Sequence, residues 1–335
     1  MLEVLQPGLL TTVQDGAGRP WAAALGVPRA GAADPDGLAD ANRVVGNEPD
    51  AGGLEMTLLG PTLRALGPCV VALGGADLAA RLEPSGRRLR PGLALRLAAG
   101  DVVAFGPPVP GTGCRGYLAL AGGLDVPIVL GSASTCLPGR FGGLDGRSLV
   151  AGDRLTGRDS GPGMRPGGPP SPAGRVLAGS DGAIHLRVVA GPHRVPGAVE
   201  GLLAQPWRAS PESDRVGLRL AGDPIDGGRG DLRSYPMRWG AVQLPPSGEP
   251  IVLLVDAPTV GGYPVVAVVA GVDLGRLGQV GPGDAVVFDL VTIEAAQAAL
   301  RASRSAADPG ATGPHPPDTW ERLADHAGSW RPPER

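Results

Sequence analysis

The stretch Asp256-Ala-Pro-Thr-Val-Gly-Gly-Tyr-Pro264 lies between two apolar runs, Ile251 to Val255 and Val265 to Ala270. Both runs have the length and composition of buried strands. The two adjacent glycines permit backbone angles that other residues avoid, and they let a ligand approach the main chain. The polar side chains beside them predict a binding loop. A glycine-rich hairpin with a capping Asp and a packing Tyr accounts for the same residues equally well.

The composition favours many short strands joined by tight turns. The chain has 335 residues with 56 Gly, 37 Pro and only 3% aromatic residues. This balance is typical of β proteins rather than helical bundles. A net charge of −3 gives no basic surface for nucleic acid. Every basic residue is Arg, which excludes both a Schiff-base lysine and a P-loop lysine.

Cysteine and histidine usage excludes two further classes of site. Cys69, Cys114 and Cys136 are widely spaced and form no CxxC motif, which indicates free thiols in a reducing compartment. The four histidines show no metal-ligand spacing, so we predict no metal. The N-terminus lacks a signal-peptide pattern, and no apolar stretch reaches membrane-spanning length. We therefore expect a cytoplasmic protein that does not contact a membrane.

The fold class predicted from the pattern is mainly β with a few short helices. Asp34-Pro35 predicts a helix start, and Thr292 caps a second helix that runs to Ala302. Between residues 54 and 130, apolar runs alternate with Gly and Pro breakers. They predict strands over 54–59, 69–73, 78–82, 93–97, 101–105 and 116–121.

The chain divides into two β units. A Gly-Asp turn recurs before a strand at Gly100-Asp101, Gly152-Asp153 and Gly283-Asp284, which suggests that the units are related. The composition becomes rich in Gly and Pro between them and rich in Pro near the end. We predict an N-terminal unit over 1–155, a linker over 156–182, a C-terminal unit over 183–303 and a disordered tail over 304–335.

A second polar cluster, Ser213-Asp214-Arg215, lies close to Arg219. Arginine forks bind carboxylates in a bidentate manner, so this cluster is a candidate anion site. A structural ion pair beside a turn would explain the same run. Gln243 carries both donors and an acceptor, which suits recognition of an amide.

The chain resembles the family of biotin-dependent carboxyltransferases and 5-oxoprolinase C subunits, also called allophanate hydrolase subunit 2. No single matching motif is specific, but the ordered set is. The matches in the first half are Pro7-Gly-Leu-Leu-Thr-Thr-Val-Gln-Asp15, Gly26-Val-Pro28, Ala41-Asn42, Val45-Gly-Asn47, Leu54-Glu-Met-Thr57, Gly60-Pro61, Tyr117-Leu-Ala-Leu-Ala-Gly-Gly123, Leu130-Gly-Ser132 and Ser134-Thr135. Those in the second half are Ser213-Asp-Arg215, Gly240-Ala-Val-Gln-Leu-Pro245 and Thr259-Val-Gly-Gly-Tyr-Pro264.

The resemblance implies two tandem cyclophilin-like β-barrel units and a partner of the B type. Our leading hypothesis is the C subunit of a prokaryotic ATP-dependent 5-oxoprolinase, which opens 5-oxoproline to L-glutamate with A and B subunits. ATP would then be a cofactor of the complex. One alternative is a carboxyltransferase subunit that moves a carboxyl group from carboxybiotin to urea or a similar amide. Another is a non-catalytic partner of a B-type kinase-inhibitor protein.

For the leading hypothesis we assign roles by residue type. Arg215 or Arg219 would hold the substrate carboxylate, with Ser213 and Asp214 beside it. Gln243 and the backbone of Gly261 and Gly262 would contact the amide of this small-molecule substrate. Asp256, Thr259 and Tyr263 would be catalytic and orient the amide or a phosphorylated intermediate. We expect Arg215, Gln243, Asp256, Thr259 and Tyr263 to line one cleft.

The chain departs from the family pattern at several presumptive site loops. Ala30 and Ala33 stand where the family usually has Ser and Met ahead of Asp34. Ala133 replaces the Arg of Gly-Ser-Arg-Ser-Thr. Pro258 and Val260 replace polar residues of Gln-Thr-Thr-Gly-Gly-Tyr-Pro. A shared substrate is therefore less secure than a shared fold.

Overall fold

The computed structural model describes residues 1–158, 177–227 and 232–307. The first of two β units contains eleven strands and one α-helix among these residues. They are β1 (Leu2–Gln6), β2 (Leu10–Gln14), α1 (Pro35–Val44), β3 (Gly53–Thr57), β4 (Thr62–Ala65), β5 (Cys69–Gly75), β6 (Arg81–Glu83), β7 (Arg87–Arg88), β8 (Ala94–Leu97), β9 (Val102–Ala104), β10 (Arg115–Leu120) and β11 (Arg154–Leu155).

The first unit consists of two antiparallel sheets with an apolar core between them. One sheet has the order β11-β1-β4-β9-β6-β7 and the other β2-β3-β10-β5-β8. Leu2, Leu63 and Val103 from the first sheet join Leu54 and Leu118 from the second in one buried cluster. Apolar residues on the inner faces of both sheets thus account for the packing.

Helix α1 covers the outer face of the second sheet. Its N-cap is Asp34, whose carboxylate accepts a hydrogen bond from the Gly37 backbone N–H at 3.1 Å. Pro35 occupies the first turn, as the sequence predicted. The backbone of Gly74 approaches the helix so closely that a Cβ atom there would lie 2.1 Å from the Gly37 carbonyl oxygen. Glycine at this position permits the helix to pack directly on the sheet.

The second unit is a closed barrel with the strand order β12-β19-β16-β17-β14-β13-β20. Its long strands β12 and β20 are parallel neighbours, and the other pairs are antiparallel. The elements are β12 (Ala183–Ala190), α2 (Ala198–Leu203), β13 (Trp207–Ala209), β14 (Gly217–Ala221), β15 (Tyr235–Pro236), β16 (Ala241–Gln243), β17 (Ile251–Leu253), β18 (Val260–Gly261), β19 (Val265–Val269), α3 (Leu274–Gly278), β20 (Ala285–Leu290) and α4 (Ile293–Ala307).

Most sequence predictions for the fold are confirmed. The fold is mainly β with few short helices, and Thr292 caps α4 through its hydroxyl, which accepts from the Ala295 N–H at 3.2 Å. Only the second unit closes into a barrel, because the first splits its strands between two sheets. The predicted tail began too early, since α4 continues to Ala307. Most of the predicted linker, at 159–176, and of the predicted tail, at 308–335, lies outside the described residues.

The three Gly-Asp turns share one geometry. Gly100, Gly152 and Gly283 have φ of +93°, +91° and +87°, a region that favours glycine. In each turn the aspartate accepts a hydrogen bond at 2.8 Å from the backbone N–H three residues earlier. Each turn leads into a strand, namely β9, β11 or β20. The recurring sequence therefore marks a recurring local structure in both units.

His185 provides a test of the electrostatics at the edge of the barrel. Its ring nitrogens lie 3.0 Å from carboxylate oxygens of Asp181 and Asp289, and these hydrogen bonds raise the pKa of His185. Stabilisation by the protonated ring is therefore complete below the unfolded pKa of about 6.5 and is lost as the pH rises through the raised folded value.

We expect His185→Gln to lower the melting temperature more at about pH 5.5 than at about pH 9, because only the acidic condition charges the ring. Thermal unfolding of both proteins at the two pH values measures this difference. An equal gap between variant and wild type at both values would contradict the assignment.

Candidate functional site

A buried ion cluster joins the two units. The Arg215 guanidinium donates to both carboxylate oxygens of Asp256, at 2.8 and 3.2 Å, and to the Gly31 carbonyl oxygen at 2.7 Å. It also donates to Glu55 of strand β3, so it connects the barrel to the first unit. Each guanidinium nitrogen thus has a protein acceptor. We call Glu55, Arg215 and Asp256 the seam ion cluster.

Glu55 also accepts hydrogen bonds from two groups of the first unit. Its other oxygen accepts from the Ala33 N–H at 2.8 Å and the Tyr117 hydroxyl at 2.9 Å. Burial by itself would raise the pKa of Glu55, but Arg215, Arg115 and these two donors outweigh it and hold the pKa below its usual range. The carboxylate is therefore charged in the folded protein.

A second buried strip runs beside the ion cluster. The Gln279 amide donates to the Asp34 carboxylate and to the Arg115 carbonyl oxygen, both at 2.8 Å, and its oxygen accepts from the Arg115 N–H at 2.9 Å. The Arg115 guanidinium donates to the Gly278 carbonyl oxygen. Side chains of one unit thereby form hydrogen bonds with backbone groups of the other. These hydrogen bonds fix the position of the two units relative to each other.

The two residues before Arg215 shape a turn. The Asp214 carboxylate accepts from the N–H groups of Val216 and Gly217 at 2.8 and 3.0 Å. The Ser213 hydroxyl accepts from the Arg219 N–H at 3.0 Å. These hydrogen bonds favour the structural interpretation of the cluster over the predicted substrate-binding role, because every guanidinium nitrogen of Arg215 already donates to a protein oxygen.

Arg215 tests this interpretation. Arg215→Met leaves Glu55 and Asp256 buried without their cation, so we expect the free energy of unfolding to fall by about 3–5 kcal/mol. Arg219→Ala, at an exposed position, should leave it nearly unchanged. Urea titration measures both variants. Unchanged stability of Arg215→Met together with lost ligand binding would restore the predicted substrate role.

Close backbone packing at the seam gives a second test. A Cβ atom on Gly278 would lie 1.9 Å from the Ala33 carbonyl oxygen, whereas one on Gly67 would have no neighbour within 4 Å. We therefore expect Gly278→Ala to cost about 1–3 kcal/mol in unfolding free energy and Gly67→Ala far less. Equal effects of the two substitutions in thermal or urea unfolding would show that α3 does not pack in this way.

A cavity of about 410 Å³ opens between the two units and is the candidate site. Pro20, Ala23 and Arg29 line it from the first unit, and we call it the seam cavity. The second unit contributes Met237, Arg238, Trp239, Leu254, Val255, Ala257, Pro258, Thr259 and Leu274. Apolar side chains form most of the wall, with two guanidiniums and a hydroxyl among them. A few polar groups on an apolar floor are typical of small-molecule sites.

The charge in the seam cavity is unbalanced. Arg29 stacks over the Trp239 ring, with its Cζ 5.0 Å from the ring centroid. Burial lowers the pKa of Arg29, and the nearby positive charge of Arg238 lowers it further, while Asp15 opposes both. The described lining residues include no carboxylate. The formal charge of the described lining residues is therefore positive.

The predicted single cleft is not what the structure shows. Arg219 and Tyr263 line a separate groove of about 600 Å³ that also carries Glu212 and Glu249. Gln243 is buried, and its amide donates to the sulfur of Met237 at 3.4 Å. Gly261 lies beside these two side chains, and Gly262 approaches the Leu232 carbonyl oxygen. Of the five residues predicted to line one cleft, Thr259 alone lines the seam cavity. Arg215 and Asp256 are paired with each other in the seam ion cluster.

Sequence reasoning missed Glu55, Arg29, Arg238 and Trp239. Glu55 carried a usable signal, since a carboxylate in an otherwise apolar strand must find a buried partner. Arg29 directly follows the family motif Gly26-Val-Pro28. Arg238 and Trp239 directly precede Gly240-Ala-Val-Gln-Leu-Pro245. Their sequence positions did not show that these three residues line one cavity, because its walls come from different units.

The departures from the family pattern cluster near the seam. Ala30 and Ala33 are fully buried in the loop that Glu55 and Arg215 hold, and Ala133 is buried beside Asp15. Pro258 lines the seam cavity, and Val260 is exposed. Small apolar side chains at Ala30 and Ala33 fit a tightly packed seam, whereas Ala133 belongs to the core of the first unit.

Other site classes receive no support from the part of the chain that the structure describes. It contains no group of His, Cys, Asp and Glu able to hold a metal. Its helices are too short or too polar to cross a membrane. Cys69, Cys114 and Cys136 are all free, with the last two buried.

Known proteins similar to this chain fall into two groups. The C subunit of the 5-oxoprolinase of Escherichia coli (strain K12) is 37% identical over 301 residues, which cover 88% of this chain and 93% of that protein. The urea amidolyase of Lachancea kluyveri is 34% identical over 91% of this chain. The chain spans only 18% of that longer enzyme.

Two solved structures are also similar to this chain. The K. lactis urea amidolyase superposes with a TM-score of 0.78 at 30% identity, over 93% of this chain and 20% of that one. The TTHA0988 structure gives 0.74 at 40% identity, over 86% of this chain and 56% of that one. The family described as carboxyltransferase domain, subdomain A and B, matches residues 25–290. With this match and the similarity to a 5-oxoprolinase C subunit, the chain belongs to the carboxyltransferase domain family that includes the C subunits of 5-oxoprolinases.

Proposed function

We propose that this chain is the C subunit of a prokaryotic 5-oxoprolinase, which acts with A- and B-type subunits to open 5-oxoproline to L-glutamate with ATP hydrolysis. The observation that carries the proposal is the similarity to a 5-oxoprolinase C subunit, which extends over nearly the whole of both chains. The urea amidolyases are similar over an equal share of this chain, but it matches only a small part of theirs.

The seam cavity supports the proposal chemically. The substrate is a small cyclic amide with a carboxylate, and the cavity offers guanidiniums, a hydroxyl and an apolar wall. Thr259 keeps its predicted role as a group that orients the amide. Asp256 and Arg215 act at a distance by holding the loops that form the cavity. We assign Tyr263 and Arg219 to the separate groove, outside the substrate site.

The residues that the structure describes do not fit a bound ATP. Triphosphates bind at glycine-rich loops and helix N-termini, usually with a lysine. The chain has no lysine. The two described helices of eight or more residues, α1 and α4, carry Asp36 and Glu294 in their first turns, where an acidic side chain repels phosphate. We therefore assign ATP binding to another subunit of the complex.

A second candidate function is transfer of a carboxyl group from carboxybiotin to urea or a similar amide. The family description and the similarity to urea amidolyases favour it. It requires a biotin carboxylase and a biotinylated carrier as partners. Biotin would then be the cofactor that brings the carboxyl group to the seam cavity.

An exposed apolar patch beside the seam cavity supports docking of the B-type partner. Trp21 and Leu25 belong to a short 3-10 helix, and Ile128 and Leu130 lie on the neighbouring loop. The Arg19 side chain ties the two segments together by donating to the Val129 carbonyl oxygen at 2.8 Å. Large apolar side chains grouped on a surface commonly mark protein interfaces.

Reconstitution tests the function. We expect glutamate and ADP to form from 5-oxoproline and ATP only when this chain is combined with its cognate A- and B-type subunits, because we assign ATP binding to another subunit. Omission of each subunit in turn is the control. Carboxylation of urea after addition of a biotin carboxylase and carrier, without glutamate formation, would establish the second candidate instead.

A further inference from the structure

We propose that the seam cavity binds the carboxylate of a small cyclic amide, with Arg29 and Arg238 as its ligands and Trp239 as the residue that positions Arg29. The identity of the amide rests on the proposed function. The anion site itself rests on the geometry and charge of the cavity.

The first argument is the missing counter-charge. The guanidiniums of Arg29 and Arg238 are close enough to repel each other, and the lining residues that the structure describes carry no carboxylate. Asp15 attracts Arg29 but lies outside the described lining of the cavity. Its two oxygens accept four hydrogen bonds at 2.7–2.8 Å, from the Gly18 and Ala133 N–H groups and the Ser132 and Ser134 hydroxyls. A bound carboxylate would supply the missing negative charge.

The second argument is that Arg29 is held in place before any ligand arrives. Its guanidinium rests on the Trp239 ring. The backbone on either side is fixed as well, since the Arg29 carbonyl oxygen accepts from the Arg19 N–H at 2.7 Å and the Ala30 N–H donates to the Val255 carbonyl oxygen at 3.0 Å. A donor fixed in advance loses little conformational entropy on binding.

The third argument concerns the choice of cavity. Arg215 is consumed by the seam ion cluster, and Arg219 shares its groove with Glu212 and Glu249, which repel an anion. The seam cavity has cations without acids, a volume suited to a small ligand and the Thr259 hydroxyl for an amide group. Of these two sites, the seam cavity is therefore the one better suited to a carboxylate-bearing amide.

The test is calorimetric titration of the assembled complex with three probes. They are 5-oxoproline, the neutral ring 2-pyrrolidinone and the ringless carboxylate acetate. We expect 5-oxoproline to bind more tightly than either fragment. Arg29→Ala should weaken 5-oxoproline binding by about 10- to 100-fold, the loss of a charge-assisted hydrogen bond, and leave 2-pyrrolidinone unaffected. Arg219→Ala removes the same charge from the other groove and should change neither.

Two conservative substitutions, Trp239→Phe and Arg29→Lys, distinguish an effect on the position of the Arg29 charge from an effect on folding. Trp239→Phe keeps a ring under Arg29, and Arg29→Lys keeps the charge but loses the planar fork, so both should weaken 5-oxoproline less than Arg29→Ala does. Unfolding temperatures that match wild type show that the cavity is intact. In the active complex, Arg29→Ala should raise KM more than it lowers kcat, since the carboxylate is remote from the ring amide.

Several results would overturn the inference. They are the absence of 5-oxoproline binding to the wild-type complex, equal binding of acetate and 5-oxoproline, and loss of binding in Arg219→Ala but not in Arg29→Ala. Its failure is distinguishable from that of the proposed function. A complex that opens 5-oxoproline with Arg29→Ala unimpaired retains the function and loses this site. A complex that binds 5-oxoproline through Arg29 but does not open it retains the site and loses the function.

Discussion

The burial of Arg215 between Glu55 and Asp256 is the constraint on which the arrangement of the two units depends. These three side chains are almost completely removed from water, and each has its counter-charge on a different segment. Charges at such depth cost several kcal/mol each unless they are paired with good geometry. A displacement of one unit against the other would separate Glu55 from Arg215. The cluster therefore specifies the position of the seam more strongly than it adds net stability.

The shape of the seam cavity depends on the seam ion cluster. Arg29 is two residues from Gly31, whose carbonyl oxygen accepts from Arg215, and Thr259 is three residues from Asp256. One guanidinium thus anchors both the loop that carries Arg29 and the loop that carries Thr259. The cavity has one wall from each unit, so its dimensions follow from how the units meet. Residues that touch no ligand can in this way determine where the ligand-facing residues lie.

The sequence could predict the features that depend on neighbours along the chain. Turn residues, the capped start at Asp34 and the alternating apolar runs predicted the fold class, eight of the strands and both long helices. The seam could not be predicted in this way, because Glu55 and Arg215 are far apart in sequence and their pairing depends on how two finished units meet. For the same reason, the sequence alone did not distinguish Arg215 from a ligand-binding arginine. A buried ion pair and an anion site draw on the same residue types, and only the surrounding acceptors distinguish them.

The small side chains at Ala30 and Ala33 follow from the same physics. Ala33 is packed between the Glu55 carboxylate, which accepts from its N–H, and the backbone of Gly278. A larger or polar side chain there would enter a space that the ion cluster and α3 already fill, and a hydroxyl would compete for acceptors that the two arginines need. Loss of polar groups at these positions therefore does not imply loss of a site. It moves the polar chemistry from the packed seam to the adjacent cavity, where Arg29 and Arg238 retain cationic groups without a carboxylate among the lining residues described.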